Sequence, residues 1–360
     1  MPEAMAHEKE YVDLMLQLTL NPAKAGLVVP IMEQWSGQER QEFLALADAH
    51  HVVVRSFESL LKAQPAPNAD LAAWLKASIE AEHERIDNAV GFLSRICNEL
   101  EAAGCPTVVM KSLDHWPDMG NDLDLYTTGD EAAVQKTIIE KFNATQEAPS
   151  WGDRLAHKCN FEIPGLRELV EVHVQRLGQT GEHTELARRF VSRRVPLELN
   201  GYKFFVPAPE ERIIVATLQR MYRHFYARVC DVVNIAQLVD SRTIDFEELH
   251  VASQSAGIWP GVATFLMIVS DYVRQYRGFG LELPVMVAKA ARFGGSLVVT
   301  RNRFLRIPMW PQGAGLYTTQ LTKTALRGDA AAAFRLSLLP GLASAAAVAA
   351  KLTGSDKGIW

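Results

Sequence analysis

The chain predicts an α+β fold: a small mixed β-sheet flanked by N- and C-terminal helical regions. Three observations carry that prediction. Residues 8–100 repeat apolar side chains at helical spacing, residues 107–175 switch to short alternating or β-branched runs, and helical spacing returns from Pro209 onward.

Taken in order, Tyr11, Leu14, Met15 and Leu18 share one helical face, as do Phe43, Leu46, Ala47 and Val54. Pro65, Pro67 and Asn68 mark a loop, and Asp70 is placed to cap the next helix. That helix spans about residues 71–102 and turns Ile86, Val90, Leu93, Ile96 and Leu100 to one side. Gly104 stops it, because glycine readily takes the left-handed conformation that closes helices. Residues 107–110 (TVVM) form a β-branched run, and residues 122–127, 156–163 and 169–175 alternate. Pro164-Gly165 predicts a turn that makes the last two runs antiparallel neighbours. Asn200-Gly201, centred in residues 197–206, predicts a hairpin because that dipeptide tolerates the positive φ angles of a type I′ turn. Pro209-Glu210-Glu211 opens a helix, with proline tolerated in the first turn and the acids complementing the helix dipole. Helical spacing runs to Arg277, and residues 281–360 are predicted as further helices. These shifts divide the chain into segments 1–103, 104–207 and 208–360.

Composition narrows the function. The 360 residues are 48% hydrophobic and 22% charged, which excludes a disordered or collagen-like chain and is enough for a sizeable core. A net charge of −5 offers no general field for polymeric nucleic acid. The N-terminal MPEAMAHEKEYVDLM is charged and has no apolar h-region, so no signal peptide and a cytoplasmic location are expected. The longest apolar stretch, residues 336–350, is interrupted by Pro340 and Gly341 and is too short to span a bilayer. Cys97, Cys105, Cys159 and Cys230 have no metal-binding or disulfide spacing and are expected as free thiols.

The chemistry concentrates in residues 108–126, VVMKSLDHWPDMGNDLDLY. One strand ends at Lys111-Ser112, and another opens with Asp122-Leu123-Asp124. Alternate residues of a strand share a face, so the two aspartates project together, about 7 Å apart at Cβ, while Leu123 and Leu125 enter a core. Carboxylates placed this way hold a pair of Mg²⁺ ions about 3.5–4 Å apart for in-line phosphoryl displacement. In residues 169–175 (LVEVHVQ) the valines take one face, and Glu171, His173 and Gln175 take the other. Glu171 can complete the metal site or accept a proton from an attacking hydroxyl.

This conjunction resembles the DNA polymerase β-like nucleotidyltransferase superfamily. Its signature is a glycine-[glycine or serine] pair, a spacer of nine or more residues, acid-x-acid, and a third acid on a later strand. More narrowly, the chain is similar to a bacterial nucleotidyltransferase family carrying Leu-Lys-Gly, Asp-Ile-Asp-Leu and an acid-Leu-His strand. Here these read Met110-Lys111-Ser112, Asp122-Leu123-Asp124-Leu125 and Glu171-Val172-His173. The similarity extends to the helix with Asn88 that leads into GCPTVVMK, and to residues 210–240 with His224, Arg228 and Asp231. It covers about residues 10–275.

The resemblance implies two Mg²⁺ ions, with Mn²⁺ as a substitute, held by Asp122, Asp124 and Glu171. It implies an NTP donor, ATP first, from which an NMP group passes to a hydroxyl of a small molecule or protein as pyrophosphate leaves. Lys111, Ser112, His173 and Arg228 would contact the nucleotide. Two departures stand out: Ser112 replaces the family's glycine, and the loop LDHWPDMGN has no arginine. They motivate an alternative, a catalytically degraded relative that binds nucleotide or a protein partner.

Other residues stay open at this stage. Only one of His157 and Lys158 can share the active face. Arg220, His224, Arg228 and Asp231 share a face if residues 220–231 form one helix, with Arg228 and Asp231 able to pair. Arg292, Arg301, Arg303 and Arg306, near Phe304 and Trp310, form either a solvated face or a docking surface for an acidic partner or anionic lipid. The alanine-rich residues 330–350 read as a packed helix, and a protein partner would engage this C-terminal helical region.

Overall fold

The computed structural model describes residues 2–178 and 180–341. At its centre is a five-stranded mixed sheet in the order β1-β2-β5-β4-β3. Its strands are β1 (Thr107–Val109), β2 (Asp122–Thr127), β3 (Thr145–Gln146), β4 (Lys158–Glu162) and β5 (Leu169–Val174). β2 and β5 are parallel, and the other pairs are antiparallel, including the β4–β5 pair joined through Pro164-Gly165.

Alternation gives the sheet its two faces. Leu123, Leu125, Val170 and Val172 lie in a core with Val90, Leu93 and Ile96 of the helix Ala69–Ala102 and with Phe204 of a hairpin. Each such buried side chain stabilises the fold by about 1.5–3 kcal/mol. The hairpin, β6 (Val195–Leu199) and β7 (Tyr202–Val206), turns at Asn200 and Gly201, whose φ angles are +48° and +79°. The opposite face of the sheet presents Asp124, Glu171 and His173.

The long helix begins two residues earlier than a cap at Asp70 would place it. Asn68 is its cap, accepting the Leu71 N–H at 2.9 Å, and Asp70 sits in the first turn, where its charge favours the dipole. Gly104, with φ +78°, follows its end as expected. Helices Glu131–Phe142 and Trp151–Ala156 interrupt the sheet region; they lengthen the crossover between the parallel strands β2 and β5. Capping by Asp130 and Ser150 starts them.

Two sequence expectations need correction. Residues 220–231 are not one helix. The helix Pro209–Thr217 widens into a π-helical turn, Leu218–His224, and Phe225 (φ +52°) breaks it before β8 (Tyr226–Ala227). A new helix, Val229–Asp240, then begins. Residues 281–360 are also not wholly helical: β9 (Val299–Arg301) and β10 (Phe304–Arg306) form a hairpin that pairs with β8. Its two turn residues, Asn302 and Arg303, have φ +48° and +67°, a positive-φ turn without the usual glycine signal.

N- and C-terminal helices share a second core. Met15, Leu16, Phe43 and Phe57 pack in one cluster with Val232, Phe265 and Val269. Among the described residues no helix is long and apolar enough to cross a membrane. The four cysteines are free and buried. Arg303 pairs with Glu8 at 3.3 Å, and the Arg306 guanidinium lies 5.2 Å from the Tyr226 ring, so part of the basic cluster is engaged within the fold. The helix Ala330–Ser337 bears out the start of the alanine-rich segment, and residues 342–350 lie outside the described residues.

Candidate active site

Parallel pairing of β2 and β5 puts Asp124 directly beside Glu171. Together with His173, they offer ligand atoms that all lie within 4.8 Å of one another. Asp122, two residues before Asp124 on β2, opens onto the same cleft. Its pKa is pushed up to about 6 by burial first, then by the charges of Asp124 and Glu171. Lys111 and Arg228 offset this crowding of negative charge only in part. The donor set consists mainly of hard carboxylate oxygens, which suits Mg²⁺ or Mn²⁺.

Glu171 differs from Asp122. One oxygen receives the His173 Nε2–H at 2.7 Å, and the other pairs with Lys158 Nζ at 2.8 Å. Burial raises its pKa, but these partners outweigh it and hold the carboxylate well below the usual range. Glu171 is therefore a firmly ionised group and a weak base. Lys158 also meets Asp153 at 3.0 Å, so of the pair His157 and Lys158 it is the lysine that shares the active face.

Lys111 reaches Asp124 Oδ1 at 2.7 Å. It occupies the centre of a tight turn, with φ +56° and the Ser112 N–H donated back to Met110 O at 2.5 Å. This three-residue γ-turn is uncommon and strained. Ser112 is buried, and its hydroxyl accepts the Asp124 N–H at 2.8 Å. The hydroxyl therefore serves the strand that bears the acids. Because the left-handed residue is Lys111, position 112 places no demand for glycine.

Buried arginines from the N-terminal helices hold the intervening loop. Arg55 donates to Asp118 at 2.9 Å, to the His115 carbonyl at 2.7 Å and to Asn234 at 2.8 Å. Arg85 donates to the Met119 and Gly120 carbonyls at 2.9 and 3.2 Å and pairs with Glu168, just before β5. Both strands that carry the acids are thus tied to one helical scaffold.

The facing wall of the cleft is cationic and rich in hydrogen-bonding groups. Arg220, Arg223 and Arg228 line it with His51, His115 and His224, around a cavity of about 260 Å³. Arg220 forms an ion pair with Asp231 at 2.7 Å, though its buried Nε and Nη1 have no hydrogen-bond partner, and the same Asp231 oxygen accepts the Arg228 N–H at 2.6 Å. The expected Arg228–Asp231 pairing is therefore made by the backbone. The Arg228 Nε has no hydrogen-bond partner. Burial drives the pKa of His51, His115 and His224 well below the usual imidazole value, and neighbouring cations add to the effect. All three rings are neutral at physiological pH. Strain also gathers here: His51, Lys111 and Phe225 have φ +53°, +56° and +52°.

All seven residues singled out in the sequence border this region: Lys111, Ser112, Asp122, Asp124, Glu171 and Arg228 line the cleft, and His173 lies beside Glu171. The sequence reading missed His51, His115 and Arg223. His115 lay inside the loop LDHWPDMGN and was a legible candidate. His51 comes from a distant helix end, and Arg223 depends on the π-helical turn, which ideal helical spacing does not reveal.

A family model described as "Uncharacterised nucleotidyltransferase" matches residues 36–273. Among solved structures, an antigenic nucleotidyltransferase-like protein from Paracoccidioides brasiliensis is 18% identical. That match covers 47% of this chain and 86% of the other, with a TM-score of 0.32. No curated protein matches.

Proposed function

The chain belongs to the uncharacterised nucleotidyltransferase family, and we propose that it is a metal-dependent nucleotidyltransferase of the bacterial, DNA polymerase β-like kind. The observation that carries this reading is the division of one cleft into two walls. Asp122, Asp124 and Glu171 stand on the sheet, and Arg223 and Arg228 face them. Such a cleft accommodates a metal-chelated triphosphate, with its divalent cations toward the acids and its phosphate oxygens toward the arginines.

Asp122, Asp124 and Glu171 would hold one or two Mg²⁺ or Mn²⁺ ions, which supply charge neutralisation and activate a hydroxyl. Arg223 and Arg228 bind phosphate oxygens, and Lys111 adds charge from its flexible stem. His173 and Lys158 keep Glu171 ionised and oriented. Ser112 fixes the backbone of Asp124 rather than touching phosphate. The donor is ATP first, drawn from a cytoplasmic pool. The acceptor is a hydroxyl on a small molecule or protein; the acidic chain disfavours polymeric nucleic acid.

In the reaction, the acceptor oxygen forms a bond to the α-phosphorus in line with the departing group. The bond from the α-phosphorus to the bridging oxygen breaks, pyrophosphate leaves with the electron pair, and the hydroxyl proton passes to solvent. Glu171 is poorly suited to take that proton, because its partners hold it firmly ionised. Incubating the protein with each α-labelled NTP, Mg²⁺ and a panel of hydroxyl compounds tests the proposal. Labelled acceptor and pyrophosphate should form with wild type and not with Asp122→Asn/Asp124→Asn. Equal product from both proteins would refute the assignment.

A further inference from the structure

Beside the acidic cleft, at the end of strands β4 and β5, lies a groove of about 500 Å³, a size suited to a small molecule. Asn121 borders both spaces, so they meet next to Asp122. Strand register sets how the groove's acids stand to the site. Asp122 is opposite Leu169; Phe161 opposite Val170 sets Glu162 beside Leu169, and Thr145 is opposite Glu162. Residues of one row share a face, so Glu162 points the same way as Asp122, two strands or roughly 10 Å away. Glu147 donates its N–H to the Asn160 carbonyl at 2.9 Å, and Asn160 is opposite Glu171, so Glu147 continues the row of Asp124 and Glu171. Glu147 and Glu162 are thus diagonal neighbours, roughly 7–8 Å apart at the backbone. Neither has an ion-pair partner among the described residues. A third acid, Glu168, lines the groove from the loop before β5. Its side chain is only 1% exposed; one oxygen pairs with Arg85, and the other has no hydrogen-bond partner. A buried acceptor without a donor is costly, which favours a ligand that donates. The cation in the lining, Arg167, is 64% exposed and reaches toward Asp48 at 4.0 Å.

Building on the nucleotidyltransferase reading, we propose that this groove is the acceptor subsite and that it takes a small amine-bearing alcohol, a cationic polyol. Its ammonium groups supply donors and positive charge to Glu147, Glu162 and Glu168, which a neutral alcohol does not match. Its carbon frame crosses the half-buried Leu169, and a hydroxyl at the other end of the row reaches the cleft beside Asp122. Charge also separates this occupant from the donor nucleotide. A triphosphate is drawn to the arginine wall of the cleft and repelled by the groove's carboxylates, whereas an ammonium prefers the reverse.

The test uses two probes with the same six hydroxyls: bis-tris propane, which carries two amines, and dipentaerythritol, which is neutral. Ligand-observed NMR with the full chain at pH 6.5 in excess Mg²⁺ measures their binding. Wild type should bind the diamine at least about tenfold more tightly, the worth of one charge-assisted contact, and less so as salt rises. Glu147→Gln/Glu162→Gln should bind the two probes alike yet leave Mg·ATP affinity within about twofold by calorimetry, with circular dichroism reporting its fold. Should the double variant not fold, Glu162→Gln, at an exposed position, should by itself cut the preference at least about threefold. With α-labelled ATP, wild type should label the diamine in preference to dipentaerythritol, and the variant should not discriminate. Equal binding of the two probes by wild type, a preference unchanged in the folded variant, or label favouring the neutral probe overturns the subsite. Absence of Mg·ATP binding by wild type refutes the nucleotidyltransferase reading instead, because the probe titration needs no nucleotide.

Discussion

Replacing Asp122 with Asn should stabilise the metal-free protein while removing its metal response. Asp122 is pushed from 3.8 to about 6 by burial and by Asp124 and Glu171. At about 1.4 kcal/mol per pKa unit, that shift corresponds to about 3 kcal/mol against the ionised form. The residue sits in a walled cleft yet remains exposed to solvent, so screening reduces the effect to roughly 1 kcal/mol. An acid whose folded pKa is raised stabilises the fold fully below its unfolded value and loses that contribution as pH rises through the folded value. Wild type should therefore lose roughly 1 kcal/mol between pH 4 and 6, and Asp122→Asn should not. Urea titrations in EDTA at pH 4 and pH 8 measure this directly. The variant should match wild type at pH 4 and exceed it at pH 8, with a melting temperature higher by about 2 °C. Excess Mg²⁺ should reverse the order by binding only wild type. A variant equally or less stable than wild type at pH 8 in EDTA would refute the claim that these carboxylates repel one another.

Further outcomes follow from the same structure. Arg223→Ala and Arg228→Ala should each weaken Mg·ATP binding about tenfold to a hundredfold, the worth of a charge-assisted phosphate contact, as measured by calorimetry. His50 donates to the Arg303 carbonyl at 2.7 Å and accepts the Val229 N–H at 2.9 Å, and burial lowers its pKa to about 4. A histidine with a depressed folded pKa stabilises the fold above its unfolded value, so roughly 3 kcal/mol should be lost as pH falls from 6.5 to 4; His50→Gln should flatten that slope in denaturation curves. Arg55→Ala should cost about 3–5 kcal/mol in urea unfolding, because it leaves Asp118 buried without its ion-pair partner.

Much of the site could be read from sequence because its acids lie on strands, where a period of two decides which face a side chain takes. Asp122, Asp124 and Glu171 are examples, and the valines flanking Glu171 show which face is core. The register that sets Asp124 against Glu171 was not legible, since parallel pairing spans a crossover of two helices and two strands. The cationic wall was harder still. Arg223 and Arg228 are aimed by a π-helical turn and the left-handed Phe225, neither of which carries a glycine or proline signal. His51 arrives from a different core altogether, through tertiary packing that no local pattern encodes. Ser112 illustrates the opposite error: it drew attention as a missing glycine, whereas the strain falls on Lys111, one position earlier.

Isothermal titration of the purified protein with ATP, with and without Mg²⁺, tests the central claim most directly. Binding should require Mg²⁺ in wild type and vanish in folded Asp122→Asn/Asp124→Asn. Metal-independent binding, or binding that survives the double substitution, would contradict the assignment of this cleft as a metal-nucleotide site.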